Sequence, residues 1–102
     1  VQIGVAHMDH PEVHEIVPSA HCVQRFRQRM PVRAPGIAEV AAALLAALEA
    51  CDVSGWPPGW AATGESAPLW AAGHDIAFPL QPTGTPGRWL AVTCLRRPGP
   101  RR

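Results

Sequence analysis

Residues 19–51, SAHCVQRFRQRMPVRAPGIAEVAAALLAALEAC, decide the fold, because they hold two helical periods separated by a proline break. Ser19 opens the first helix as an N-cap, its hydroxyl placed to accept an orphan N–H of the first turn. Cys22, Val23, Phe26 and Met30 follow at one-, three- and four-residue steps and form one apolar face. Pro31 ends the helix, since it lacks an N–H and turns Met30 away from helical angles. Residues 31–36 are a connector. In residues 37–51, Ile37, Val40, Ala41, Leu44, Leu48 and Cys51 make a single stripe, and the alanines between them raise helix propensity.

Downstream the texture becomes that of short strands. Residues 52–59, with their Gly, Ser, Pro and Trp, read as a loop. Residues 68–72 read as a strand, with 60–63 as a candidate fourth. Gly73-His74-Asp75 reads as a hairpin turn and 76–81 as the return strand. Pro79 belongs at an edge or a bulge, because it has no N–H for a ladder. Residues 82–87 form a second turn, and 88–95 form a strand that is apolar on both faces and therefore central. Helices grouped before strands predict an α+β domain, two N-terminal helices packed on a three- to four-stranded antiparallel sheet. The expected core is Val23, Phe26, Val40, Leu44, Leu48, Leu69, Ile76, Leu90 and Val92.

Outside this unit, residues 1–18 are an N-terminal segment that is polar and without strong period over 11–18. His7-Met8 matches a cloning scar, so 1–7 reads as vector-derived; read as native, 1–5 alternates as a short strand does. Residues 98–102 form a basic, Pro-rich tail expected to be disordered. The unit at 19–97 is a single domain, as 102 residues suggest. A hydrophobic content of 47% excludes wholesale disorder, and a net charge of +1 argues against a histone-like binder of bulk nucleic acid. The longest apolar run is broken by Glu39, so no membrane partner is expected. Cys22, Cys51 and Cys94 lack CxxC spacing and are odd in number, which reads as reduced thiols in a cytoplasmic protein. All nine cationic residues are Arg, a bacterial, GC-rich signature.

The chemistry concentrates on the first helix. His21, Arg25 and Arg29 stand four apart and share one polar stripe. Guanidinium forks bind phosphate oxygens, and imidazole transfers protons near neutral pH. That set suits a metal-free ribonuclease, with no cofactor; the competing reading is a solvated arginine face with a His that helps cap the helix start. His21-xxx-Arg25-Phe26-xx-Arg29, followed by a second helix and a small sheet, resembles the barnase–EndoU–colicin–RelE group of small ribonuclease and toxin folds. The resemblance implies His21 as general acid or base and Arg25 and Arg29 as phosphate clamps, with RNA as substrate and a neutralising protein as partner. The chain departs from the RelE pattern in having neither Lys nor Tyr, which leaves open an RNA-binding member without cleavage.

Trp60, Arg88 and Thr93 are the candidates for holding substrate. His7, His10 and His14, with Asp9, Glu12 and Glu15, have the types to bind Zn²⁺ or Ni²⁺, but Pro11 breaks any helical array, so no metal site is assigned. His74-Asp75 reads as turn chemistry rather than a catalytic pair. The competing class is a non-catalytic interaction module or homodimer built on exposed Trp and the second helix.

Overall fold

The computed structural model describes residues 4–29, 36–61 and 66–97. In chain order the elements are β1 (Ala6–His7), β2 (Glu15–Pro18), α1 (Ala20–Gln28), α2 (Ile37–Glu49), β3 (Asp52–Ser54), β4 (Leu69–Ala72), β5 (Ile76–Pro82), β6 (Arg88–Ala91) and β7 (Leu95–Arg96). A 3-10 turn, Gly59–Ala61, lies between β3 and β4.

Both helices form for the reasons their sequences carry. The Ser19 side chain accepts the Cys22 N–H at 3.0 Å, and Cys22 and Phe26 are buried one turn apart. Arg29 caps the C-terminus of α1; Met30 and the proline expected to stop the helix fall outside the described residues. α2 starts at Gly36 without a side-chain cap, and Glu39 in its first turn complements the helix dipole. It buries Val40, Leu44 and Leu48.

The sheet is where expectation and structure part. Among the described residues it has seven strands, in the order β1-β2-β6-β5-β4-β3, with β7 also on β5. It is mixed and curled into a half-barrel, not a three- or four-stranded antiparallel sheet. Nor are the helices N-terminal, since β1 and β2 precede them. β2 pairs parallel with β6, Glu15 opposite Arg88 through Pro18 opposite Ala91. A parallel pair needs a long crossover, and here α1, α2 and three strands intervene, so nothing local announces it. β3, read as loop, is a three-residue strand antiparallel to β4. The candidate strand at 60–63 is instead the end of the 3-10 turn, with 62 and 63 outside the described residues.

The expected strand 88–95 is interrupted. Leu80 pairs with Ala91 and Ala77 with Leu95, so Phe78 and Pro79 face three residues, Val92, Thr93 and Cys94. The extra residue makes a bulge, and Pro79 lies opposite it. The Val92 N–H donates to the Pro79 carbonyl at 3.0 Å, so the proline nitrogen, which points the same way, faces the bulge. The bulge also reverses the facing of the strand. Ala91 and Cys94, three apart, both enter the helix-side core. Leu90 and Val92 were expected there but are only half-buried and outside it. Val23 and Leu69 pack against the core partly exposed, while Phe26, Val40, Leu44, Leu48 and Ile76 lie within it.

Ala6, Val13 and Ile16 are also fully buried, so the core takes in chain preceding Ser19. The other sheet face carries a small cluster of Ala61, Trp70 and Ala77 with Trp60 and Leu95 packed on it. The curl brings the flanks of the two outer strands together. Met8, Asp9 and His10 share a cavity of about 310 Å³ with Glu49, Asp52 and Val53. The His7 N–H donates to Glu49 Oε2 at 3.1 Å, tying β1 to the end of α2.

Ser19 joins these parts. Besides capping α1, its hydroxyl donates to the Val92 carbonyl in the bulge at 2.7 Å, and its N–H donates to the Ala91 carbonyl at 3.0 Å. Ser19→Ala removes the cap and leaves the Val92 carbonyl unpartnered. We expect a loss of about 2 kcal/mol by urea denaturation. Gln24→Ala, on the exposed face of the same helix, should stay within about 0.5 kcal/mol of the parent.

Candidate nucleic-acid interface

The outward side of α1 is cationic and free of acids. His21, Arg25 and Arg29 are exposed, as are Gln24, Arg27 and Gln28 between them, while Cys22 and Phe26 face inward. Four-residue spacing places each stripe member roughly 6 Å further along the axis. Arg25 and Arg27 lie in the last turn, where the helix dipole favours positive charge. Ion pairs elsewhere take up other arginines, Arg88 with Glu15 at 3.0 Å and Arg96 with Asp75 at 3.6 Å. Among the described residues no carboxylate lies within ion-pairing distance of Arg25 or Arg29. The surface therefore presents two guanidinium forks and an imidazole to solvent on one ridge. Such a set can grip successive anionic oxygens.

The three residues proposed to hold substrate do not join that ridge. Thr93 is buried in the bulge, 6% exposed. Trp60 packs on the small cluster across the sheet from the helices. Arg88 starts β6, where its Nε and Nη2 both reach Glu15 Oε1, at 3.1 and 3.0 Å. Arg88 does line a cleft, one of about 500 Å³, together with Pro11, Glu12, His14, Thr85 and Trp89. No single stretch of sequence announces this cleft, because one wall is the segment from Pro11 to His14 and the other runs from Pro82 to Trp89. The available signals were the Thr83-Gly84-Thr85-Pro86-Gly87 turn and an adjacent Arg-Trp pair.

The N-terminal histidines are dispersed. His10 borders the smaller cavity and accepts the Glu12 N–H on Nδ1 at 3.0 Å, while His14 lines the larger one. Among the described residues no group of three or more His, Cys, Asp or Glu is arranged to hold a metal ion. His74 and Asp75 are exposed in the β4–β5 turn, where Asp75 pairs with Arg96 and its carbonyl accepts the Arg97 N–H at 2.8 Å. Among the described residues, no helix is long and apolar enough to cross a membrane.

No known family, curated protein or solved structure matches this chain. Its chemistry therefore has to be read from its own side chains.

The three cysteines are free and buried in one core. Burial is the main cause of raised thiol pKa values in all three. It pushes Cys22 far up, with Cys94 adding to the effect. Cys51 is pushed up to about 12 by burial, then by Asp52 and Cys94. Cys94 rises to about 11, with Arg96 and Arg29 opposing the effect of burial. These thiols are protonated at neutral pH and poor nucleophiles. In the unfolded chain they ionise nearer 9. Below that pH both states hold the protons; above it the unfolded state loses them first, so stability falls as pH rises. The decline begins near 9 and persists to about 11 for Cys94, and beyond for the others. Urea midpoints should thus be lower at about pH 10 than at about pH 8, and Cys51→Ala should flatten that slope. A thiol reagent at neutral pH should label the cysteines only after denaturation.

Proposed function

We propose that this domain binds the phosphodiester backbone of single-stranded RNA through the outward face of α1. The observation that carries the reading is the exposure of Arg25 and Arg29, in line with His21, on a helix without acids. A nine-residue helix offers a stripe only about 13 Å long, and the net charge is only +1, so modest affinity is expected. A flexible single strand can fit its phosphates to such a stripe, whereas a duplex reader needs further contacts at base edges. The resemblance of the His21–Arg29 motif to the barnase–EndoU–colicin–RelE group points to the same substrate.

Binding is better supported than cleavage. General acid–base catalysis needs a proton-transfer group held against the reacting atoms. His21 is exposed, lines neither cavity, and has no hydrogen-bond partner orienting it among the described residues. Here it serves as a further donor to phosphate. One observation favours an interaction module instead: Trp56 is 80% exposed and Ile37, at the start of α2, 51%.

Binding of single-stranded RNA should weaken linearly in log K against log salt. Arg25→Ala with Arg29→Ala should reduce that slope by about 1.4, at roughly 0.7 per phosphate contact. His21→Ala should retain most affinity, and deletion of residues 98–102 should leave the slope nearly intact. The reading is overturned if the tail deletion alone removes all affinity. Absence of RNA binding, together with a dimer in sedimentation that Trp56→Ala dissociates, would replace it with the interaction module.

A further inference from the structure

The cleft beside Arg88 is built more carefully than a surface dent requires. Its volume of about 500 Å³ falls within the range of small-ligand sites. One wall is the segment from Pro11 to His14; the other is the β5–β6 turn and the start of β6. The walls are pinned to each other. Trp89 Nε1–H donates to the Glu12 carbonyl at 3.1 Å, and the His14 N–H donates to the Gly87 carbonyl at 2.8 Å. The turn is closed by Thr83, whose hydroxyl donates to the Arg88 carbonyl at 2.8 Å and accepts the Thr85 N–H at 3.2 Å. Gly87 has φ +80°, and a Cβ there would stand 2.7 Å from His14 Nδ1. The glycine thus admits both the turn and the imidazole.

The lining pairs flat surfaces with balanced polarity. Trp89 offers a planar indole, and the puckered rings of Pro11, Pro82 and Pro86 add stiff apolar surface. Arg88 spends two donors on one oxygen of Glu15 and keeps Nη1. Glu12 brings acceptors, and Thr85 both a donor and an acceptor. A bare anion would meet Glu12, and a bare cation would meet Arg88. A neutral flat ring with donors and acceptors on its edge suits every group.

We propose that the cleft receives one unstacked nucleobase, held against Trp89 and read at its edge by Arg88, Thr85 and Glu12. The proposal rests on the RNA reading of α1 and deepens it, with phosphates on the helix and a base in the cleft. β2 connects the two places: Glu15 pairs with Arg88 of the cleft wall, and Pro18 leads into α1. Its four residues span roughly 13 Å, within reach of one short strand. Bases splayed from single strands onto aromatic side chains are the usual means of sequence-tolerant recognition.

The test uses ¹⁵N-labelled full chain, with the Trp89 indole N–H signal assigned by Trp89→Phe. Adenosine monophosphate should shift that signal, ribose 5-phosphate should not, and Thr85→Phe, an exposed change that fills the mouth, should abolish the shift. An abasic strand should bind roughly tenfold more weakly than an oligoadenylate of equal length. If the abasic strand binds equally well and still depends on Arg25 and Arg29, the cleft proposal fails and the α1 reading stands. If the nucleotide shifts Trp89 while Arg25→Ala with Arg29→Ala leaves oligoadenylate binding unchanged, the cleft stands and the α1 reading fails.

Discussion

One side chain holds the helical and sheet layers in register: Ser19, whose hydroxyl accepts from the Cys22 N–H and donates to the Val92 carbonyl. The first bond starts α1; the second reaches a carbonyl at the irregular point of the sheet. The bulge at Val92–Cys94 lets a proline sit inside the central strand β5 and turns Cys94 toward the helices. Were the strand regular, Pro79 would leave its neighbour's ladder groups without a donor. Helix start, bulge and central proline therefore form one arrangement, and the exposed face of α1 inherits its position from it.

What could be read in the chain beforehand follows from how local each signal is. α2 carries its own evidence in Ile37, Val40, Leu44 and Leu48, at helical spacing among alanines, and α1 does so through Ser19, Cys22 and Phe26. The turns at Gly73–Asp75 and 82–87 are likewise written in Gly, Pro and Asp. β2 is four residues, Glu-Ile-Val-Pro, too few to show a period, and its partner is β6. The bulge is a single extra residue, invisible to an alternation rule; it placed Leu90 and Val92 in the expected core when Trp89, Ala91 and Cys94 face that way. The His21-Arg25-Arg29 stripe was legible because helix geometry alone makes it. The Trp89 cleft was not, because its walls meet only through β2–β6 pairing.

The two candidate surfaces divide the charge of the molecule in different ways. Arg88 and Arg96 are engaged by Glu15 and Asp75, and they stiffen strand ends. Both pairs are substantially exposed, so each adds little stability and mainly fixes geometry. Arg25 and Arg29 project from a helix that has no acid of its own, so their field is not cancelled within the element. A near-neutral protein can in this way keep a local cationic ridge without acquiring general affinity for polyanions.

The parallel pairing of β2 with β6 also sets an order of events for the newborn chain. Glu15 meets Arg88, and Ser19 meets Val92, across 73 residues. Contacts of such separation form late, because the intervening loop must close before any of them is made. During synthesis β2 and both helices emerge long before β6 exists to receive them. Until then Ile16, Cys22 and Phe26 have no sheet to cover them, and the thiols of Cys22 and Cys51 are open to solvent and oxidant. Maturation of this domain is therefore governed by the arrival of β6, and the interval before that strand appears is when it is most vulnerable to aggregation and to disulfide formation by thiols that the fold keeps free.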